Sequence, residues 1–579
     1  MNAQPSRSTR ARVSLAVLLV IVLVGVFVTR LVDIQVVRAG ELSEQSQSQR
    51  ASEIITYGVR GNIVDAGGAV LADSVERYDI TASPRNAWNR DDAMTKVTAE
   101  LEKIAAITGQ HASELLDALL AEPESDFAYL SKGVTLEVFD AVAALEIGWV
   151  YFELRPARTY PNGQIAGNLI GFIGTDGPQA GLELSMDSCL ASTDGVAVFD
   201  RGVDGVRLPG SLVTTQPAQD GGTLRLTIDR DLQWYVQQRL AQTALDLGAT
   251  WATAVVMRVS DGALMAVADW PTVDPNNVDD APRDALGSRA FAVPYEPGST
   301  VKVLTAASVI DAGVANQYSG VVAPYRIELA NGSAIKDWTW HDTWNLTLTG
   351  ALVESSNTAV AAFTDMLAAQ ARYDYLRDFG FDERTEVQFG GESAGLVHPP
   401  SEWDLHTNYA VQFGQGLQVT SVQMASAYQA IANGGVRMPV QLVAGCEWPD
   451  GTVTDTPSAE GRRVVSESAA QQTLQMMEKV ATESGSAPNL SIPGYRVAVK
   501  SGTAEVAENG VYTDKVVISY AGMAPADDPE YVVIATAGIP GSMMSGRIAR
   551  TFTDIMAMTL TTFRVAPSTT AAPELPLTW

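Results

Sequence analysis

Three short groups of residues hold the means to open an acyl bond with a serine. Ser299 and Lys302 stand three apart in Glu296-Pro297-Gly298-Ser299-Thr300-Val301-Lys302, ahead of the apolar run VLTAASVIDAG. Pro-Gly closes a turn, and the run predicts a helix beginning at or near Ser299. Positions i and i+3 share a helix face, so Lys302 Nζ is within reach of Ser299 Oγ. A serine is a weak nucleophile until a neighbouring base takes its proton. A lysine is that base only where burial or a second cation lowers its pKa. The second group is Ser355-Ser356-Asn357. It offers a hydroxyl to relay a proton and an amide to hold an amide substrate, or else a turn or helix cap. The third is Lys500-Ser501-Gly502-Thr503-Ala504, after the strand-like YRVAV. A lysine on a strand with the hydroxyls of Ser501 and Thr503 suits a carboxylate, and Gly502 lets a ligand approach the backbone. An edge strand with one solvated lysine is the alternative, although the chain has only eight lysines to place in such settings.

Two other serines compete. Ser333-Ala-Ile-Lys336 repeats the S-x-x-K spacing, but it lies in the polar run ELANGSAIKDWTWHD with no apolar helix behind it, and it reads as a surface turn. Gly391-Glu392-Ser393-Ala394-Gly395 matches the esterase pattern G-x-S-x-G. That elbow needs a helix directly after the serine, and Pro399-Pro400 block helix growth there.

The elements that must position these groups are strands and helices in mixed order. TLRLTID (223–229) reads as a strand and DLQWYVQQRLAQTALDLG as a helix. TAVVMRVSDGALMAVADW alternates on both sides of Ser260-Asp261-Gly262, a hairpin with a D-G turn. VVISYAGMA and YVVIATAGI are two further strands, and TFTDIMAMTLTTF is a closing amphipathic helix. Antiparallel hairpins among helices predict an α+β fold. Residues 92–122 show helical periodicity, a surface helix pair. QPAQDGG at 216–222 is rich in turn formers and marks a boundary. The Pro/Thr/Ala-rich end 566–579 reads as a flexible tail.

Composition narrows the class. The chain has 579 residues, 46% of them apolar, enough for a large core. A net charge of −28 argues against nucleic acid as a partner. Two cysteines, Cys189 and Cys446, exclude CxxC chemistry; whether they pair is open. The four histidines are not spaced as metal ligands. At the N-terminus, Arg7, Arg10 and Arg12 precede the uncharged stretch Val13–Thr29, which Leu31–Val37 can prolong. Basic residues before an apolar run predict a single anchor with a cytoplasmic N-terminus and the bulk outside. A cleaved signal peptide is the competing reading, but no A-x-A site follows.

The three groups, in this order at 299, 355 and 500, resemble those of class B penicillin-binding proteins, with K-S-G in place of K-T-G. The resemblance extends along the chain. Arg60-Gly61-Asn62-Ile63-Val64-Asp65 with Gly68 and Leu71-Ala72 is similar to the family's first N-domain motif, although the arginine usual after the aspartate is Ala66. Arg158 to Pro161, Gly171 to Gly174 and Gly181-Leu182-Glu183 resemble the second. DWPTVDPNN and FGQGLQVTSVQMASAYQAIANGG also look like family segments. Glu296 and the segment Gly391–Gly395 lean toward the septal, division-type branch.

The resemblance implies a cytoplasmic tail (1–12), a transmembrane helix with a juxtamembrane extension (13–36), a pedestal domain (40–220), a transpeptidase domain (223–565) and the tail. It implies that Ser299 is acylated by a D-Ala-D-Ala stem peptide with Lys302 as base. Ser355 would pass the proton to the leaving amine and Asn357 would bind the peptide amide. Lys500, Ser501, Gly502 and Thr503 would form the carboxylate site, and the N–H groups of Ser299 and Thr503 the oxyanion hole. It implies no metal or organic cofactor. The implied partners are stem peptides and lipid-linked precursors, β-lactams, a membrane glycosyltransferase and other division proteins. A catalytically silent scaffold or β-lactam sensor, an elongation-type transpeptidase, and a carboxypeptidase or β-lactamase using a residue such as Glu354 remain alternatives.

Overall fold

The computed structural model describes residues 7–41, 51–174, 176–200, 210–508, 511–541 and 545–579. They form two units, Met1–Val59 with Ser192–Asp220, and Arg60–Ala191 with Gly221–Trp579. Residues 1–6 of the expected cytoplasmic tail lie outside the described residues.

In the first unit, helix α1 (Arg7–Val32) runs on into a π turn, Asp33–Val37. Ala11–Val37 has a mean hydropathy of 2.9 and no buried residue, long and apolar enough to cross a bilayer. Between Arg12 and Arg30 it carries no charge, and at its end Asp33 pairs with Arg30 (3.1 Å) and Arg38 (2.9 Å). The rest of the unit is a three-stranded antiparallel sheet of Ala51–Thr56, Gly195–Asp200 and Val213–Gln216.

The second unit is built on the expected α+β plan. Its main sheet contains β1 (Trp251–Arg258), β2 (Leu264–Trp270), β3 (Ala498–Glu508), β4 (Val511–Ala524) and β5 (Tyr531–Ile539). The strands are all antiparallel in the order β2-β1-β5-β4-β3, so β3 is an edge. Side chains alternate between the two faces of each strand. Register therefore places Lys500, Gly502, Ser519, Thr536 and Thr253 on one face. On that face Thr253 Oγ1 lies 2.8 Å from Ser421 Oγ of a wholly buried helix. Gly522 belongs to the opposite face, where an added Cβ would meet Phe552 at 2.9 Å. The flanking helices are α2 (Arg230–Leu247), α3 (Lys302–Asp311), α4 (Asn357–Thr364), α5 (Ser421–Ala432), α6 (Glu467–Glu483) and α7 (Ala549–Thr562). Each starts where its sequence permits. Asp229 caps α2 at Leu232 N (2.8 Å), and Thr420 and Gln423 form a capping box on α5.

The N-terminal motifs of the second unit meet at one buried ion cluster. Glu183 is fully buried and accepts from Arg60 Nε (2.8 Å) and Arg158 Nε (2.6 Å), and Arg60 also reaches Asp187 (2.5 Å). A buried carboxylate persists only when so paired. Asp65 accepts from Ala69 N and from Arg230 N at the start of α2. Ala66, in the place of the family's arginine, instead donates its N–H to Ile228 O (2.9 Å). The turn-rich segment at 216–222 lies between strand Val213–Gln216 of the first unit's sheet and strand Thr223–Leu226 of a sheet in the second, and the division between the units, at Asp220 and Gly221, falls within it. Thr223–Leu226 pairs in parallel with Ile63–Val64 and antiparallel with Val443–Glu447. Cys189 and Cys446 form a disulfide across this region, and an added Cβ at Gly222 would lie 2.6 Å from Cys446 Sγ. A disulfide contributes about 2–4 kcal/mol. The Cys189→Ser/Cys446→Ser variant is expected to melt roughly 5–10 °C lower in a thermal scan.

The reading of 566–579 as a flexible tail is corrected. Thr347 N and Oγ1 donate to Leu577 O (3.0 Å) and Pro576 O (2.7 Å), and Trp579 Nε1 donates to Val321 O (3.2 Å). Leu575, Leu577 and Trp579 alternate along the strand-like end, and Leu575 is buried. Backbone pairing and that alternation outweigh the polar composition of the segment before them.

Candidate functional site

The turn before Ser299 is held by close backbone approach. Gly298 has φ +58° and donates its N–H to Gly414 O (2.9 Å); an added Cβ would meet Thr503 O at 2.6 Å. Thr300 Oγ1 donates to Pro297 O, and Tyr428 Oη of α5 donates to Thr300 O, both at 2.8 Å. The helix expected at Ser299 begins as a 3₁₀ turn, Gly298–Val301, and passes into α3 at Lys302. Ser299 is half-buried and Lys302 is fully buried.

Gly502 on β3 fits against the same turn, since an added Cβ would lie 2.7 Å from Pro297 O and 2.6 Å from Ser519 Oγ. The strand and the Ser299 turn are therefore packed backbone to backbone. Gly502→Ala is expected to push them apart and slow acylation by β-lactams about 100-fold, measured by stopped-flow with a chromogenic cephalosporin. Ser501 and Thr503 are half-buried and alternate to the other face of β3, Ser501 opposite Tyr520.

The three groups meet at Ser355. Lys302 Nζ donates to Ser355 O (2.5 Å) and lies 3.4 Å from Ser355 Oγ. Lys500 Nζ donates to Ser355 Oγ (3.0 Å) and to Ser501 O (3.1 Å). One hydroxyl thus lies near two buried lysine amines. Among the described residues Lys302 bonds Ser355, not Ser299, so the expected pairing one turn apart is replaced by a contact across the cleft. Ser355 has φ +56°, a left-handed conformation that a serine holds only when its surroundings impose it. Burial lowers the pKa of Lys500 to about 7. Burial, with the Lys500 charge beside it, holds Lys302 well below the usual lysine range, and Asp337 opposes this. Asn357 opens α4, half-buried, and its Nδ2 donates to Lys336 O (2.9 Å).

Two neighbours of the motifs complete the site, and one of them, Asp337, escapes the motif reading. Asp337 is buried directly beneath Ser355-Ser356-Asn357, at the end of the hairpin Arg326–Glu328/Ala334–Lys336 that carries the second S-x-x-K. Its signal is only its position after Lys336, within a run that reads as surface. Glu296 accepts from Gly416 N (2.9 Å) and from Tyr512 Oη (3.3 Å), and burial pushes its carboxyl up. It lines a cavity of about 300 Å³ with His398, Glu402, Thr407 and Gln418.

The competing serines are placed plainly. Ser333 is half-buried in its turn, with Oγ donating to Asn331 Oδ1. Ser393 Oγ accepts from Gly395 N, and the element that follows is the short strand Leu396–Val397, not a helix. Glu354, the residue raised as a deacylating candidate, is exposed at the end of helix Leu348–Val353.

Comparison with known proteins identifies the family. Residues 252–557 match the penicillin binding protein transpeptidase domain, and residues 55–226 the penicillin-binding protein dimerisation domain. The penicillin-binding protein PbpB of Mycobacterium tuberculosis is 36% identical over 548 residues, covering 90% of this chain and 80% of the relative. The peptidoglycan D,D-transpeptidase FtsI of Escherichia coli is 30% identical over 527 residues, covering 90% of this chain and 86% of the relative. The crystal structure of penicillin binding protein 3 from Mycobacterium tuberculosis, complexed with aztreonam, superposes with a TM-score of 0.70 at 29% identity, over 91% of this chain and all of that one. With its transpeptidase domain, its dimerisation domain and these relatives, the chain belongs to the class B penicillin-binding proteins.

Proposed function

We propose that the protein is a septal peptidoglycan D,D-transpeptidase, anchored by α1, that works through a serine acyl-enzyme. The observation that carries this reading is the Ser355 hydroxyl set between Lys302 and Lys500, beside the Ser299 turn. Ser299 Oγ attacks the carbonyl of the penultimate D-alanine of a stem peptide while Lys302 takes its proton. Backbone N–H groups of Ser299 and Thr503 stabilise the oxyanion, a contribution of about 3–4 kcal/mol for each donor. The proton passes through Ser355 to the amine of the leaving D-alanine, and the C–N bond breaks. An acceptor amine then attacks the ester, yields its proton along the same relay, and Ser299 is regenerated with a new peptide cross-link formed. Asn357 holds the peptide amide, and Lys500 with Ser501 and Thr503 holds the terminal carboxylate. β-Lactams enter the same first step and stop at the ester. The basic residues Arg7, Arg10 and Arg12 at the start of α1 keep the N-terminus in the cytoplasm and the chain that follows the apolar run outside. Lipid-linked precursors, a membrane glycosyltransferase and other division proteins are the partners this reading requires.

The test is direct. The full chain in detergent, given a pentapeptide stem donor and an amino acceptor, is expected to release D-alanine and form cross-linked dimer, followed by mass spectrometry. Penicillin acylation without product above the Ser299→Ala background would instead support a sensor or scaffold. Rapid release of hydrolysed penicillin would support a β-lactamase.

A further inference from the structure

Asp337 belongs to none of the three motifs, yet five groups converge on its carboxylate. Oδ1 accepts from the backbone N–H of Asn357 (2.5 Å) and of Thr358 (3.1 Å). Oδ2 accepts from Ser356 Oγ (2.7 Å) and Thr358 Oγ1 (3.2 Å), and His341 Nε2 stands 2.8 Å away. The residue is 4% exposed. Two of these donors are the first N–H groups of α4, which have no partner inside the helix and favour negative charge. Asn357 Nδ2 closes the connection from the other side by donating to Lys336 O. The whole Ser355–Asn357 turn is thus pinned to the hairpin through one carboxylate and the carbonyl next to it.

What is pinned matters for the reaction. Ser355 sits at φ +56° between two buried lysines, and that conformation costs energy unless neighbouring groups enforce it. Ser356 is unavailable to solvent or substrate because its hydroxyl both donates to Asp337 and accepts from Ala359 N. Lys302 and Lys500 are both buried, and Asp337 is the negative charge that acts on Lys302.

We infer that Asp337 is a positioning residue of the acyl transfer: its carboxylate fixes Ser355 and Asn357 in place and sets a negative charge against Lys302. The inference rests on the reading of Ser355 as the proton relay. Charge and geometry separate in the variants. Asp337→Asn keeps an oxygen for the two α4 N–H groups and loses the charge. Asp337→Ala loses both. Asp337 is also the charge that opposes the lowering of the Lys302 pKa. Removing it lets Lys302 stay neutral to lower pH, so the acid limb of the pH–rate profile moves down.

The experiment measures the second-order rate of penicillin acylation from pH 5 to 9 on the full chain in detergent, with thermal melts of each variant. Asp337→Ala is expected to acylate about 100-fold more slowly, and Asp337→Asn about 10-fold. In Asp337→Asn the acid limb moves at least half a pH unit lower. Asp337→Glu, tested alongside, returns the limb toward the wild-type position. His341 is the other titratable group against Asp337, so His341→Gln is run in parallel; it keeps a donor and removes the titration. A reduced rate with an unmoved limb in Asp337→Asn makes Asp337 only a helix cap and overturns the inference. A limb that vanishes with His341→Gln and ignores Asp337 overturns it too. A wild-type chain that takes no penicillin adduct counts against the proposed function instead.

Discussion

Ser299→Ala is expected to remove the covalent penicillin adduct and all cross-linking, a loss on the order of 10⁴ to 10⁶ in rate. No neighbouring hydroxyl can substitute. Ser355 Oγ is held by Lys500 and approached by Lys302, and Ser356 Oγ is committed to Asp337 and to the α4 backbone. Ser393 and Ser333 lie in turns where their hydroxyls have local partners. Intact-protein mass spectrometry after incubation with penicillin checks the loss, and peptide mapping of the wild-type adduct places it. The melting temperature should stay within about 2 °C, because Ser299 Oγ has no hydrogen-bond partner among the described residues and is half-buried. An adduct that persists in the variant would move the nucleophile elsewhere and sink the proposed mechanism.

The residues that carry this chemistry are legible in the sequence because each has a local signature. Ser299 and Lys302 are three apart before an apolar run, and Lys500 follows a strand and precedes a glycine. The strands are legible for the same reason. β1 and β2 flank a D-G turn, and β4 from Val516 onward and β5 are mostly apolar runs, as stretches buried on both faces must be. What sequence spacing does not reach is any partnership made across the fold. Asp337 follows a second S-x-x-K that looks like a bland surface turn, and only the hairpin's return brings it beneath Ser355. The contact of Lys302 with Ser355 spans 53 residues and replaces the local contact that helix geometry favours. Cys189 and Cys446 pair over a separation of 257 residues. Strand Thr223–Leu226 joins a sheet with Ile63–Val64, which lies far away in the sequence. At the C-terminus, composition misleads because Pro, Thr and Ala dominate the count, while three alternating apolar residues decide where the chain lies.

The second large effect is on pH. The reaction needs Lys302 neutral, to accept the Ser299 proton, and Lys500 charged, to hold a carboxylate. Burial lowers both, and the Lys500 charge pushes Lys302 down further, so Lys302 gives up its proton first as pH rises. Above that step Lys302 is a base, and acylation increases with pH. Lys500 titrates at about 7 in the free protein, and above that value its charge is lost and acylation decreases. The rate of acylation per mole of free β-lactam should therefore be bell-shaped, with an alkaline limb near 7. Each limb has its own variant. Lys302→Arg leaves a cation that cannot act as a base, and acylation should fall about 10³-fold with no recovery at high pH. Lys500→Arg keeps its charge at all accessible pH values, so the alkaline limb should move up by more than two pH units even where the maximal rate falls. Stopped-flow acylation across pH 5–10 reads both. An alkaline limb that stays in place in Lys500→Arg would assign that titration to another group. A Lys302→Arg protein that acylates normally would leave Ser299 with some other base.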